Sequence, residues 1–395
     1  MQDNMKNLPW IFALIFLSVQ VQAQIITGRV TNQNSAEPVP FANVFFANTT
    51  NGTATDENGY FRLPAKAEGR QTLVVSMVGF QSYSREVELK KGENLQLQIM
   101  LNDDLKELDE VTVKADTTGW QDNFYIFRQQ FIGKMKGAGD CKIKNAKSLY
   151  FYYDPRLNQL IAHAKVPLII ENEHLGYRVE YWLEHFVADF REKTTHYFGY
   201  PRFEEMQPKN KRQAKKWRKN RIKTYQGSLM ELVRGIYSKA NLDSMGWDVR
   251  QLHYEKNTAR PDDEFLRRKV MEHINNEDSA MYYSKLLRQP KQIAVVSRDL
   301  FDFQKYSKPK SDGSLQLDYD GYLNATYMKE NQAREYYSFM QDYRAQPQNT
   351  IIQLLAPPYF LYTNGFMYDT KNYMLGGYLG WYEKLATQLP LDFNP

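Results

Sequence analysis

The chain has 395 residues, with 51 Lys and Arg against 46 Asp and Glu, six His, one Cys and a formal charge of +5. Its 28 Tyr and 22 Phe provide ample material for packed cores, which excludes a disordered chain, and a single cysteine, Cys141, excludes an internal disulfide. No HExxH, CxxC or GxSxG pattern occurs, so the common metallopeptidase, zinc and serine-hydrolase signatures are missing.

Residues 1–23 join a polar start carrying Lys6 to the apolar run LPWIFALIFLSV and a small-residue end near Ala23. That order is that of a secretory signal, and the run is shorter than the about 20 apolar residues of a spanning helix. Cleavage there leaves a chain starting at Gln24 of about 372 residues, enough for two or three domains. No cysteine follows the run to accept a lipid, and no later stretch is long and apolar enough to span as a helix. The mature protein is therefore expected to be soluble or peripheral.

From Ile25, short alternating segments rich in β-branched and aromatic residues follow one another: ITGRVTN, VPFANVFFAN, RQTLVVSMVGFQ, YSREVELKK and NLQLQIML, each bounded by Gly, Pro, Asn or Asp. This is the pattern of a small antiparallel sandwich. Between them GTATDENGYF, residues 52–61, reads as a β-hairpin, with Asn58-Gly59 giving the turn its positive φ and the Asp56 carboxylate capping it. Tyr60 and Phe61 then point to opposite faces, one of them into the core. Asp56 and Asn58 could also serve a cation, but calcium needs more oxygen ligands than this loop offers.

These residues carry a resemblance. GRVTNQNSAEPVPFANVFFANTTNGTATDENGYFRL, followed by VVSMVGFQSY, is similar to the carboxypeptidase-regulatory-like domain, a transthyretin-like, carbohydrate-binding-like sandwich at the front of many exported Bacteroidetes proteins. The resemblance covers about residues 25–102 and implies a fold and an envelope compartment; the module is an accessory one and lends no catalytic residues. LDEVTVKA, Leu108 to Ala115, resembles the stretch that follows this domain in TonB-dependent receptors. A barrel of 22 strands at about ten residues each would not fit in the remainder, so residues 103–122 read as a linker to a separate body, 123–395. Phrases of that body such as IIENEHLGY and GYLGWYEKLATQLPLDFNP resemble uncharacterised exported proteins with the same front domain and imply no activity.

In the body, DNFYIFRQQFIGK places Phe124, Phe127, Phe131 and Ile132 at helical spacing. SLYFYYDPRLNQLIAHA reads as a hairpin around Asp154-Pro155, and LGYRVEYWLEHFVADF sets Tyr177, Val179, Tyr181 and Leu183 on one side of a strand continued by HYFGYPRFEEM. Residues 257–281 read as a loop plus one helix. Strand patterning resumes at KQIAVVSRDLF, around the Asp312-Gly313 turn, and at TIIQLLAPPYFLYTNGFMYD; a closing helix puts Tyr378, Trp381, Tyr382 and Leu385 on one stripe. The fold class is thus mainly β: a seven-stranded antiparallel β-sandwich, transthyretin-like or Ig-like, followed by an α+β body of antiparallel sheet and helices.

KNKRQAKKWRKNRIK, residues 209–223, holds nine Lys and Arg and no acid, and helix formers throughout. Such a helix can approach phosphates, lipid headgroups or acidic polysaccharide, or simply keep one face wet. Its expected contacts are Lys215, Lys216, Trp217, Arg218, Lys219 and Arg221. Four histidines, His163, His174, His185 and His196, recur every 11 residues. Zinc needs convergence that spacing alone does not supply, so no metal, cofactor or catalytic residue is assigned. Three Asp-Ser/Thr-small or apolar triplets, at Asp116, Asp243 and Asp278, match a glycosylation pattern of envelope proteins.

The leading expectation is a non-enzymatic envelope protein, periplasmic or outer-membrane-associated, that binds a glycan or a protein partner. Peripheral membrane association is compatible with it, and nucleic acid is a poor partner for an exported chain. Two alternatives stand beside it: a structural accessory of a TonB-type or secretion assembly, and a hydrolase using body carboxylates or histidines such as Glu171, Glu173 and His174.

Overall fold

The computed structural model describes residues 24–65, 69–89, 94–104, 119–337, 345–368, 370 and 372–395. The expected leader, LDEVTVKA and the Asp116 triplet lie outside these residues.

The front module has seven strands: β1 (Gln24–Asn32), β2 (Asn43–Phe46), β3 (Gly52–Ala54), β4 (Tyr60–Ala65), β5 (Gly69–Ser76), β6 (Tyr83–Leu89) and β7 (Leu95–Leu101). They form two sheets, β4-β1-β7 and β3-β2-β5-β6. Alternate residues of both sheets, among them Ile26, Val30, Val44, Phe46, Phe61, Leu73, Val75 and Ile99, share one buried core, so the expected sandwich is present. One pairing runs parallel: β7 arrives from the other sheet and lies along β1 from Ile26 opposite Leu95 to Asn32 opposite Leu101.

The Asp56 turn forms as expected, but it does not close a hairpin. The Asp56 Oδ1 accepts from the N–H groups of Asn58 and Tyr60 at 2.9 and 2.8 Å. Gly59 alone takes the positive φ, 78°, and a Cβ there would lie 2.4 Å from the Val30 carbonyl. The flanking strands then part: β3 pairs with β2 and β4 with β1, in different sheets. The turn hands the chain across the sandwich because Phe61, 5% exposed, goes into the core while Tyr60 is 52% exposed.

The body opens with α1 (Trp120–Phe131), whose Phe127 and Phe131 are fully buried. Next come β8 (Cys141–Ile143), β9 (Leu149–Asp154), β10 (Gln159–Ala164), β11 (Leu168–Asn172), β12 (Tyr177–Asp189) and β13 (Thr194–Glu205). β9 and β10 make the expected hairpin, with Asp154 capping its turn through the Arg156 and Leu157 N–H groups. The long β12 organises this sheet. One edge pairs first with β11 and then with β10, the other with β13 along its length, and a bulge between Leu183 and His185 keeps Tyr177, Val179, Tyr181 and then Phe186 on the inner face. Cys141 is free and buried in the same core, its thiol pushed up to about 12 by burial.

Two helices follow, α2 (Lys211–Tyr225) and α3 (Leu229–Tyr237), separated by Gly227, and a one-turn α4 (Leu242–Met245). The remainder builds a second core. β14 (Trp247–Lys256) and β15 (Gln292–Leu300) form a hairpin whose tip carries two helices, α5 (Asp263–Glu272) and α6 (Glu277–Arg288), where one was expected. Asn276 caps the second of them through the Ser279 N–H, a start signal that ends the loop reading at that point. After α7 (Phe303–Tyr306) come β16 (Ser307–Pro309), β17 (Leu315–Leu317), β18 (Gly321–Asn331), β19 (Pro347–Leu354), β20 (Tyr359–Leu361), β21 (Met367–Tyr368) and β22 (Tyr373–Gly376). They complete the sheets β15-β14-β18-β19-β22 and β16-β17-β20-β21. α8 (Gly377–Tyr382) closes the chain; it is shorter than expected, and Leu385 belongs to the 3-10 turn after it. The tail from Leu385 to Phe393 then returns to the first body core. The described body therefore contains two hydrophobic cores, joined by α2, α3 and the tail.

The front module is packed on this body. Phe45, Ala47 and Val74 of its second sheet bury Trp182 of β12, and the Phe45 and Trp182 rings stack at 4.4 Å. Asn48, at φ 62°, gives its N–H to the Pro201 carbonyl and accepts from the Leu391 N–H, each at 2.7 Å, while its side chain accepts from Gln388 at 2.9 Å. The Phe203 N–H donates to Thr49 O at 2.9 Å, and the Thr50 backbone N–H and hydroxyl both donate to Asp392. This is strand-like pairing between the front module and the body.

Candidate functional site

At this seam lies a cleft of about 500 Å³. Its walls come from Ala47, Asn48, Thr72, Ser84, Arg85 and Glu86 of the front module, from Tyr197 to Pro201 of β13, and from the start of α3. Phe366, Tyr368 and Tyr373 and the tail from Glu383 to Leu391 complete it. The size falls in the range of small-ligand sites, and the lining mixes aromatic rings with a few convergent polar groups, as such sites do.

Two charges sit at its floor. α8 ends at Tyr382, so the next two residues, Glu383 and Lys384, face the junction half-buried. The Glu383 carboxylate accepts from the Leu229 N–H, the first residue of α3, at 2.6 Å. A helix N-terminus favours negative charge, yet burial dominates and pushes the carboxyl up to about 7, with that hydrogen bond and Lys384 pulling the other way. The Lys384 ammonium lies 5.8 Å from the centre of the Tyr197 ring, and burial lowers its pKa, partly offset by Glu383. Tyr181 and Tyr197 are held far above the ordinary phenol range, again chiefly by burial. The Thr387 hydroxyl donates to the Tyr382 carbonyl at 2.6 Å and fixes the turn that carries the pair. A carboxyl poised near neutrality beside an ammonium and phenols can accept or donate hydrogen bonds to a hydroxyl-rich ligand, and perturbed groups of this kind mark functional clefts. Among the described residues, Glu86 and Glu383 are the carboxylates of the lining.

The six residues expected from the basic segment divide. Trp217 is 4% exposed and donates from Nε1 to the Glu173 carbonyl at 2.8 Å. Arg221 donates to the Leu175 and Gly176 carbonyls at 2.7 and 3.1 Å, pairs with Glu205 at 3.1 Å and stacks 3.9 Å over Tyr177. These two mount the helix on the turn after β11 and are occupied within the fold. The reason is that both lie on the inward side, where Gly176, at φ 74°, leaves room: a Cβ there would be 2.3 Å from the Trp217 ring. Lys215, Lys216, Arg218 and Lys219 face outward and exposed.

The histidines do not converge. His163, His185 and His196 are exposed on the outer face of the first body sheet, and His174 sits in the turn under α2, 3.7 Å from Asp140. Among the described residues no group of three His, Cys, Asp or Glu side chains could hold a metal. Glu171 pairs with Lys144 at 3.1 Å and, with Glu173 and His174, lies away from the cleft. Sequence reasoning missed Glu383 and Lys384. The available signal was a charged pair set directly between the buried stripe of Tyr378 and Leu379 and the buried Leu385.

Comparison with known proteins gives the class of the front module. Residues 26–113 match the model of the CarboxypepD_reg-like domain, so the chain carries such a domain at its front. The chain is 39% identical over 122 residues to the TonB-dependent receptor SusC of Bacteroides thetaiotaomicron, a match covering 29% of this chain and 11% of the relative. It is 35% identical over 112 residues to the TonB-dependent receptor P26 of Formosa agariphila, covering 27% and 10%. The match thus spans about a tenth of the length of these curated relatives and bears on the front of this chain, giving it a cell-envelope context at that coarse level. Among solved structures, a membrane-associated protein of unknown function from Bacteroides fragilis covers 86% of this chain and 92% of its own at 10% identity and a TM-score of 0.17. A cohesin–X-dockerin complex from Acetivibrio cellulolyticus covers 20% of this chain and 56% of its own at 19% identity and a TM-score of 0.17. No helix among the described residues is long and apolar enough to cross a membrane.

Proposed function

We propose that this is an exported cell-envelope protein that binds a glycan, non-enzymatically, in the cleft between its front module and its body. The observation that carries the reading is the lining, which combines the aromatic side chains Phe198, Tyr200, Phe366 and Tyr368 with hydroxyls, amides and the Glu383–Lys384 pair. Sugars offer apolar C–H faces to rings and hydroxyls to carboxylates and amides, so such a lining is complementary to them. The envelope setting is supported by the module shared with TonB-dependent receptors.

The test is calorimetric titration of the purified protein with neutral and acidic oligosaccharides, on wild type and on Phe198→Ala and Glu383→Gln. Binding of one glycan class, weakened about tenfold or more in both variants while each still melts cooperatively at or above the wild-type temperature, supports the reading. No binding across the set, or binding indifferent to both variants, overturns it. A hydrolytic reading has one observation behind it, the Glu383 carboxyl near 7, which suits general acid–base work. Glycosidases use a second carboxyl about 5 to 9.5 Å away, and among the described residues Glu86 is the other carboxylate of the lining. Release of reducing ends from the bound glycan would favour that reading over simple binding.

A further inference from the structure

A second feature, separate from the cleft, is the outer side of α2. At 100° per residue, Lys211, Lys215 and Arg218 fall on one row and Arg212, Lys216, Lys219 and Lys223 on the next, together covering roughly 160° of the helix circumference. All seven are exposed, and among the described residues none of them forms an ion pair. Of the nearby carboxylates, Glu205 pairs with Arg221 and Asp140 lies against His174.

The arc is held at a set orientation. Trp217 and Arg221 bind the turn carbonyls as described, and Asn220 adds a bond to the His174 carbonyl at 2.8 Å. Asn210 caps the helix start through the Gln213 N–H at 2.9 Å. Under the helix, burial holds His174 below the ordinary imidazole range; Asp140 opposes this, and Lys216 on α2 and exposed Lys136 on the turn after α1 add smaller lowering contributions.

We infer that this convex basic face docks the protein on an anionic lipid surface. Three features favour that occupant. The arc is broad and convex, which meets a plane better than it cradles a small anion. It runs the length of a 15-residue helix, about 22 Å. It contains no exposed apolar side chain, so contact would be by headgroup attraction without insertion, each Lys or Arg adding its increment near an anionic surface. Charge complementarity, not apolar burial, thus sets the affinity, and salt screens it.

The test is cosedimentation of the full chain with vesicles of phosphatidylglycerol and phosphatidylethanolamine, and with vesicles of phosphatidylcholine alone, at low and high salt. Every variant keeps the same leading residues, so their contribution cancels when variants are compared on one lipid composition. Preferential binding to the anionic vesicles, lost at high salt and reduced at least about tenfold in Lys215→Glu/Lys216→Glu/Arg218→Glu/Lys219→Glu, is the expected result. The quadruple Gln variant, which removes charge without adding repulsion, should fall in between, and a melting curve shows that both fold. Equal binding to both lipids, binding unaffected by the reversal, or displacement by a soluble acidic polysaccharide at equal charge concentration would each overturn the lipid surface as the occupant.

Discussion

At the seam, Trp182 stacks on Phe45 at 4.4 Å and is closed over by Ala47 and Val74; at the helix mount, Trp217 packs on Gly176 and donates its indole N–H to the Glu173 carbonyl at 2.8 Å. Each tryptophan has an arginine nearby, used differently. Arg202 stands 3.5 Å from Glu180 and 3.2 Å from Asn43 at the edge of the apolar contact, whereas Arg221 is itself the clamp, with two carbonyls, a carboxylate and a ring in reach. A joint between two bodies must resist separation, which buried area does without regard to direction. A joint that aims one helix must resist rotation, which hydrogen bonds from fixed side chains to fixed carbonyls do better.

The sharpest way to break this comparison is Trp182→Ala. Removing a buried ring of this size costs about 3–5 kcal/mol, and urea unfolding should register it with faster hydrogen exchange in both β2 and β12. A cost below about 1 kcal/mol would mean that the main-chain bonds around Asn48 hold the seam instead. Next is Arg221→Met, expected to cost about 2–3 kcal/mol because the Leu175 and Gly176 carbonyls lose a charged donor. Its effect should be confined to exchange in α2 and the 173–176 turn; spread into the front module would show that the two joints are coupled.

Between the joints, Glu383 makes the cleft pH-sensitive. Its folded pKa, about 7, stands above the unfolded value of 4.5, so the folded state holds the proton more tightly. Stability is therefore greatest below the unfolded value and falls as pH rises from 4.5 through 7. Glu383→Gln should remove that fall, gaining on the order of 2 kcal/mol over wild type at the upper end, as read from unfolding curves across that window. Parallel pH profiles for the two proteins would refute the assignment. The smallest effect belongs to Trp217→Phe, which keeps most of the packing and loses one hydrogen bond, about 1 kcal/mol; a much larger loss would make the mount an apolar joint after all.

The contrast also explains what could be read in advance. Period-two alternation announced the front strands and the inner face of β12, because side-chain direction in a strand depends only on the residue's own neighbours. The same locality made the Asp56 turn and the basic helix legible down to which residue types would build them. It failed where a local pattern has two global solutions: the turn chemistry of Asp56 and Gly59 is real, but whether β3 and β4 pair with each other or with strands of two sheets is settled by the core that Phe61 enters. The basic segment shows the same limit within one helix, since Lys215 and Arg221 look alike in sequence and only the turn at Gly176 makes one a surface charge and the other a clamp.

From its own order of residues, then, the protein has its strand and helix content, its front module and the charge of α2, because propensity, alternation and turn chemistry act over a few residues. The tertiary structure alone decides that Phe45 meets Trp182, that Asn48 meets Leu391, and that Glu383 ends beneath the first turn of α3. Those contacts join residues more than a hundred positions apart, and what selects them is the apolar area and the hydrogen bonds gained on closure, quantities that no local stretch of sequence contains.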